Sequence, residues 1–130
     1  MNITIDTSIV IAVISEEGSK NSIVEATKGK LLIAPQSLHW EIGDAFSAMY
    51  KKHKITYKQS LMALEIYKTI PIRFINIELE SALELSHTLG IYAYDSYILA
   101  TALKLRTPII SLDNSLVQAA RQLKIETVEV

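Results

Sequence analysis

The stretch NITIDTSIVIAVI, residues 2–14, predicts how the chain begins to fold. Its first part, Asn2–Asp6, alternates in polarity and is rich in isoleucine, which is typical of a β-strand. Its second part, Ser8–Ile14, is predicted to be a short helix, for which Asp6 or Thr7 is available as the N-cap. The stretch therefore predicts a strand that passes directly into a helix, with an acid at the junction.

The alternation of strand and helix continues to the end of the chain. Further helices are predicted over Lys20–Lys28, Thr56–Ile70, Glu78–Leu89, Tyr94–Leu105 (beginning at Asp95) and Asn114–Lys124. Another helix is predicted to have Pro35 at its entry and to run to about Lys52. Further strands are predicted over Leu31–Ala34, Arg73–Ile75, Pro108–Leu112 and Glu126–Val128. This order predicts an α/β fold, in which helices cover both faces of a parallel sheet.

Length and composition restrict the class of protein. A chain of 130 residues without an internal repeat or a linker is expected to form one domain, residues 1–130. The absence of cysteine excludes disulfides, thiolate zinc sites and a cysteine nucleophile. The net charge of −1 at pH 7 does not by itself indicate a nucleic-acid partner. No uncharged stretch approaches the ~18 residues of a membrane helix, so we expect a cytoplasmic protein that does not enter a membrane.

The four aspartates of the chain stand at particular places in this pattern. Asp6, Asp95 and Asp113 lie where a predicted strand ends or a predicted helix begins, and Asp44 lies three residues after Glu41 on a predicted helix. Strand ends and the starts of the following helices line the ligand-binding crevice of an α/β sheet. Short carboxylates collected there suit Mg²⁺ or Mn²⁺, which prefer oxygen ligands.

Each acid also has a simpler interpretation. Asp6, Asp95 and Asp113 can each cap a helix or lie in its first turn, where free amides and the helix dipole stabilise a negative charge. Glu41 can be a solvated helix residue. The surroundings favour more buried positions, because Glu41 lies within LHWEIGDAF, residues 38–46, and Asp95 begins the almost uncharged YDSYILATA, residues 94–102. An acid in a buried place needs a partner or a cation.

Four segments, in chain order, resemble the motifs of the PIN domain family. IDTS at residues 5–8 resembles the start of these domains, and EIGDAF at 41–46 resembles their Glu-x-x-Asn-Ala-Leu segment. YDSYILATA at 94–102 is similar to their Tyr-Asp-Ala-x-Tyr helix, and SLDNSL at 111–116 to their Thr-x-Asp-x-x-Leu segment. The chain departs from the pattern at Asp44, where the family usually has Asn, and at Ser96 and Ser111, which replace common Ala and Thr.

The resemblance implies a three-layer α/β/α sandwich with a central parallel sheet of about five strands, usually in a homodimer. It implies an endoribonuclease that depends on Mg²⁺ or Mn²⁺, of the kind found as VapC-type toxins of type II toxin–antitoxin pairs, with RNA as substrate and a cognate antitoxin as partner. The residues that match the family's acidic centre, as catalytic residues and metal ligands, are Asp6, Glu41, Asp95 and Asp113. Those expected to support them are Thr7, Ser8, Asp44 and Asn114.

Other functions remain open at this stage. The chain is alternatively a PIN nuclease of RNA processing that is not a toxin, or a catalytically silent PIN-like scaffold that binds protein or RNA. A phosphatase of the haloacid-dehalogenase type normally carries a second Asp two residues after the first, where this chain has Ser8. A receiver-type domain would have paired acids near the first strand end and a late Lys, and the sequence shows neither.

Three tyrosines surround Asp95, and their role is also open. Tyr92, Tyr94 and Tyr97 are able to stack on the bases of RNA. At helical spacing, Tyr94 and Tyr97 are equally explained as packing residues or as residues of a dimer interface.

Overall fold

The computed structural model describes all residues, 1–130, and contains five strands and seven helices. The strands are β1 (Asn2–Ile5), β2 (Leu31–Pro35), β3 (Ile72–Ile75), β4 (Ile109–Ile110) and β5 (Thr127–Val128). The helices are α1 (Thr7–Ile14), α2 (Lys20–Thr27), α3 (Ser37–Lys51), α4 (Tyr57–Thr69), α5 (Leu79–Leu89), α6 (Ala93–Leu105) and α7 (Asn114–Gln122). None of the helices is both long and apolar enough to cross a bilayer.

The five strands form one parallel sheet in the order β3-β2-β1-β4-β5. From β1 the chain first adds strands on one side, β2 and β3, and then returns to the other side of β1 to add β4 and β5. The strand order therefore reverses between β1 and β4, and a crevice opens outside the carboxyl ends of strands at such a point. Ile5 lies beside Ile110 in this pair, so the residues that follow, Asp6 and Ser111, come out at the same edge.

Helices cover both faces of the sheet. Ile3, Ile5 and Ile110 point to one face, where they join a buried core with residues of α1, α2, α3 and α4. Ile109 points to the opposite face and packs with residues of α6 and α7. The alternation of side chains along each strand thus divides the apolar residues between two cores. This arrangement confirms the predicted α/β/α sandwich with a parallel sheet of five strands.

Local signals in the sequence account for several helix ends. The Thr56 side chain accepts a hydrogen bond from the Gln59 amide, while the Gln59 side chain accepts one from the Thr56 amide, so both residues cap the start of α4. At the other kind of end, Gly90 adopts φ 67° and stops α5. Glycine takes this left-handed conformation without the strain that a Cβ atom introduces.

All predicted elements are present, but three boundaries were wrong in informative ways. Pro35 does not enter α3; it is the last residue of β2 and pairs with Ile75. β4 is only two residues long, because the amide of Leu112 donates to the Ser8 side chain at 3.0 Å instead of continuing the sheet. α6 begins at Ala93, so Asp95 lies inside the first turn rather than at its start.

We predict that truncating the core on the α1–α4 side destabilises the whole of residues 1–130. Leu38 on α3 is fully buried, so Leu38→Ala should lower the free energy of unfolding by about 2–5 kcal/mol and shift a single urea transition. Leu61→Ala on α4, where the side chain is 44 % exposed, is the matched control and should cost less than about 1 kcal/mol. Two separate transitions, or equal costs for both variants, would contradict the proposal of one domain around this core.

Candidate functional site

The acids meet at the edge of the sheet where the strand order reverses. Asp6 directly follows β1, and Asp113 lies three residues after the end of β4. Glu41 on α3 and Asp95 on α6 approach the same edge, since the charge of Asp6 acts on both of them. The structure therefore places the four predicted acids near one edge of the sheet, close enough for their charges to interact.

Asp6 is the most deeply placed of these acids, with 7 % of its surface exposed. Its Oδ1 accepts hydrogen bonds from Ser8 Oγ at 2.6 Å and from the amide of Ile9 at 3.2 Å, so it caps α1 as predicted. Its Oδ2 accepts from Ser111 Oγ at 2.5 Å. Burial raises the pKa of Asp6, although these three hydrogen bonds oppose the rise, and the nearby charge of Asp113 adds to it.

Ser8 and Ser111 fix the position of the Asp6 carboxylate from two loops. Besides its bond to Asp6, Ser8 Oγ accepts from the amide of Leu112 at 3.0 Å, and Ser111 Oγ accepts from the amide of Asp113 at 2.9 Å. The two hydroxyl oxygens are 3.4 Å apart. The segments after β1 and β4 are thus tied together through the acid. The sequence predicted Ser8 as a supporting residue and showed Ser111 only as a departure from the family pattern, although the position of Ser111 two residues before Asp113 was the available signal.

Asp113 caps α7 with one of its two carboxylate oxygens. Its Oδ1 accepts from the amide of Ser115 at 2.9 Å, from Ser115 Oγ at 2.7 Å and from the amide of Leu116 at 3.4 Å, which caps α7. The side chain is exposed, and its second oxygen takes no part in the cap. One oxygen of this carboxylate therefore stabilises the helix while the other is available to a ligand.

Glu41 has a strongly perturbed carboxylate. Burial, the charge of Asp6 and the charge of Asp95, in that order, raise its pKa from 4.5 to about 7. Its Oε2 is buried without a hydrogen-bond partner, and so is Thr7 Oγ1. Thr7 lies close enough to offset part of the rise in pKa, but the two groups do not meet in a good hydrogen-bond geometry. A buried oxygen without a partner is uncommon in proteins and is a natural place for a ligand.

Asp95 lies half-buried in the first turn of α6. Burial raises its pKa, and the charges of Asp113 and Asp6 raise it further. The following residues of α6, from Ser96 to Ala102 except Tyr97, are buried, as the uncharged sequence predicted. Asp95 therefore stands at the point where a buried helix reaches the acidic edge.

No basic side chain neutralises these acids. The two ion pairs of the chain, Lys20–Glu16 and Lys68–Glu65, are local pairs within or beside helices, away from the four acids. No three acidic or histidine side chains of the chain converge into a ready set of metal ligands. Repulsion between like charges opposes a closer approach of the carboxylates without a cation. The donors are all oxygens, and Glu41 offers an unpartnered one, which fits a hard cation such as Mg²⁺ or Mn²⁺.

Asp44 and Asn114, the other two residues predicted to support the centre, are both exposed. Asp44 is exposed on α3, and its charge makes a small contribution to the raised pKa of Glu41. Asn114 is exposed at the first position of α7, where Ser115 rather than Asn114 contacts Asp113. A cleft of about 470 Å³ between α5 and α6 contains none of the four acids. The acidic centre is thus defined by its chemistry and by the sheet topology rather than by a deep cavity.

We predict that Glu41 destabilises the metal-free protein at neutral and higher pH. Folded Glu41 holds its proton more tightly than unfolded Glu41, so its contribution to stability is present at low pH and is lost as the pH rises from 4.5 through about 7. Glu41→Gln should therefore be more stable than the wild type at pH 8 in EDTA, with a smaller difference at pH 5, as measured by urea unfolding. The exposed Glu84→Gln is the control. A Glu41→Gln variant that is less stable at pH 8 would contradict this reading.

We predict that the Ser111 hydroxyl is needed to hold the two loops together. Ser111→Ala removes a donor to Asp6 and an acceptor for the Asp113 amide, which should cost about 1–3 kcal/mol in the free energy of unfolding. Ser111→Thr keeps the hydroxyl and should remain within about 1 kcal/mol of the wild type. If the alanine variant proves as stable as the threonine variant, the network does not fix the site.

Three solved structures have a similar fold over most of the chain. PAE2754 from Pyrobaculum aerophilum is 14 % identical with a TM-score of 0.71, and the match covers 92 % of this chain and 79 % of that one. VapBC2 from Rickettsia felis, solved with a DNA fragment from its promoter, is 16 % identical with a TM-score of 0.68 and covers 98 % of both chains. VapC20 from Mycobacterium tuberculosis, a toxin that cleaves the sarcin-ricin loop, is 13 % identical with a TM-score of 0.65 and covers 91 % and 95 %.

At these identities, the likeness to solved structures shows the fold alone. No curated protein sequence matches the chain. The sequence model of the PIN domain family, in contrast, matches residues 3–122, which include all four acids. The chain therefore belongs to the PIN domain family, whose members are generally nucleases.

Proposed function

We propose that this chain is an Mg²⁺- or Mn²⁺-dependent endoribonuclease and acts in the cytoplasm as the toxin of a type II toxin–antitoxin pair. The observation that carries the proposal is a group of four acids, at the point where the strand order reverses, without a basic partner. Burial and mutual repulsion raise the pKa values of Asp6, Glu41 and Asp95. Charges in such a position are normally paired or coordinate a metal, and perturbed acids mark functional sites.

The acids would share the work of holding the metal. Asp6 is the most firmly oriented, because Ser8 and Ser111 hold both of its oxygens. Asp113 would contribute the oxygen that its helix cap leaves free, and Asp95 the carboxylate at the start of α6. Glu41 Oε2, buried and without a partner, is placed to hold either a cation or a proton. When bound, the metal lowers the pKa of a coordinated water and stabilises negative charge on the phosphate.

The supporting residues would set the geometry of this centre. Ser8 and Ser111 keep Asp6 from rotating, and Thr7 Oγ1 is close to Glu41 and is free to bond a water or the glutamate after a small movement. Asp44 adds negative charge near Glu41, which favours cation binding. Asn114, at the start of α7, is exposed beside Asp113 and is available to a water or to substrate.

The proposal includes a cognate antitoxin and a second copy of the chain as partners. VapC20, which shares the fold, is named as a toxin, and VapBC2, which also shares it, was solved with a DNA fragment from its promoter. The chain also exposes large apolar side chains on two helices: Leu61, Met62 and Ile66 on α4, and Leu79 and Leu83 on α5. Apolar surface of this kind is a feature of protein interfaces.

We predict metal-dependent cleavage of single-stranded RNA by the purified protein. Cleavage should be seen with Mn²⁺. Either EDTA or Asp95→Asn should lower the rate by about 100-fold or more, because EDTA removes the metal ion and the substitution weakens its binding, so that the positive charge that stabilises the transition state is lost. Glu84→Gln, which changes an exposed acid outside the site, should cleave as the wild type does. Gel analysis of an end-labelled RNA measures all four samples.

Equal cleavage with Mn²⁺, with EDTA and by Asp95→Asn would contradict the proposal. RNA binding without cleavage at any Mn²⁺ concentration would instead favour a catalytically silent scaffold. Cleavage by a protein that has no antitoxin encoded beside it would favour a nuclease of RNA processing.

A further inference from the structure

A second feature of the same sheet edge is a small cleft lined by aromatic side chains. It has a volume of about 330 Å³ and lies at the carboxyl ends of β2 and β3, beside the start of α3 and the first turns of α6. Its walls include three aromatic residues, Trp40, Tyr94 and Tyr97. The volume is at the low end of the range for small-molecule sites, which is roughly 300–1,000 Å³, so the cleft suits a flat ring rather than a helix.

The aromatic rings are unusually accessible. Trp40 is the only tryptophan of the chain, yet 68 % of it is exposed, and Tyr94 is 46 % exposed. Tryptophan is on average a highly buried residue. Each ring also has an aromatic neighbour: His39 contacts Trp40 edge-on with ring centres 5.1 Å apart, and Tyr94 contacts Tyr97 with ring centres 5.9 Å apart. The exposed faces of Trp40 and Tyr94 are available for stacking.

Polar groups accompany the rings. Gln36 and Asn76 line the cleft and are exposed, and so both amides are free to bond the edge of a base. Ser37 also lines it, and its Oγ is buried without a hydrogen-bond partner. Lys104 Nζ, which belongs to the neighbouring cleft between α5 and α6, donates to the carbonyl of Asn76 at 3.2 Å, so a positive charge lies near this residue of the lining. A cleft with apolar walls, a few polar groups and a nearby cation suits a nucleotide. It suits a purely apolar protein surface less well.

The cleft adjoins the acidic centre along the chain and along the sheet. Trp40 precedes Glu41 on α3, and Tyr94 precedes Asp95 on α6. The cleft is at the ends of β2 and β3, while Asp6 follows β1, the next strand in the sheet. Neighbouring strands are ~4.8 Å apart. A chain that presents a phosphate to the acids therefore has a neighbouring base within reach of the cleft.

We propose that this aromatic cleft binds a base of single-stranded RNA next to the bond that is cleaved, with the base stacked on Trp40 and its edge read by Gln36, Ser37 or Asn76. The inference rests on the proposed function and adds a substrate subsite to it. Single-stranded RNA is recognised in this way because its bases are free to stack on aromatic side chains and to bond through their edges. Trp40 is a binding residue in this account, and the acids remain the reacting groups.

Because Trp40 is the only tryptophan, its fluorescence reports on the cleft directly. The test is a titration of the full chain, in EDTA at low salt so that cleavage does not interfere, with a single-stranded hexaribonucleotide and with a ribose-phosphate hexamer that lacks bases. We expect saturable quenching by the first and little by the second. With a dye-labelled hexaribonucleotide, Trp40→Ala should bind about 10-fold more weakly or worse, Trp40→Phe should recover much of the affinity, and Tyr57→Ala, exposed on α4 outside the cleft, should bind as the wild type does.

The outcomes separate the subsite from the nuclease. Metal-dependent cleavage with no quenching, or with unchanged binding and KM in Trp40→Ala, would overturn the subsite and leave the nuclease standing. Quenching by the hexaribonucleotide without cleavage under any metal would support the subsite and overturn the nuclease. Equal quenching by both oligomers would show phosphate binding rather than stacking and would overturn the subsite. So would Trp40 fluorescence that changes with protein concentration and no longer responds to RNA, because a second copy of the chain would then cover the cleft.

Discussion

The organisation of this site depends on the electrostatic cost of placing acids together without bases. Asp6, Glu41, Asp95 and Asp113 lie at one edge of the sheet, where no lysine or arginine pairs with them. Burial and mutual repulsion raise the pKa values of three of them, so the metal-free protein carries an unfavourable contribution at neutral pH. Perturbed acids of this kind mark functional sites, and a divalent cation is the ligand that we propose for them.

The topology explains why the acids meet there. The order β3-β2-β1-β4-β5 reverses beside β1, so the segments after β1 and β4 leave the same edge of the sheet and lead to different helices, α1 and α7. Asp6 and Asp113 each begin one of those helices as its N-cap. Capping and ligand binding are compatible in these residues, because helix N-termini stabilise negative charge near the place where a ligand enters. The predicted caps at Asp6 and Asp113 are therefore confirmed, and they are compatible with the metal site that we propose.

The sequence predicted the elements well because their signals are local. Isoleucine-rich strands, the Thr56–Gln59 cap and the stop at Gly90 can be read from neighbouring residues. The network of Ser8, Asp6 and Ser111 could not be predicted from neighbouring residues, since it depends on the register of β1 against β4. Asp6 and Ser111, for example, are 105 residues apart in the chain. The short β4 has the same cause, because a side chain from the other loop takes the Leu112 amide. The cleft around Trp40 was missed since exposure of a tryptophan has no signature in sequence.

Calorimetric titration of the wild type with Mn²⁺ tests most directly whether the four acids form a site for a divalent cation. At a pH near 6.5, Glu41 holds its proton for much of the time, since its pKa is about 7. Binding at this carboxylate should therefore release protons, and the affinity should rise as the pH is raised through 7. Saturable binding with that pH dependence, reduced in Asp95→Asn, is the predicted result. Absence of binding, or binding that is changed neither by Asp95→Asn nor by pH, would contradict a cation site at these acids.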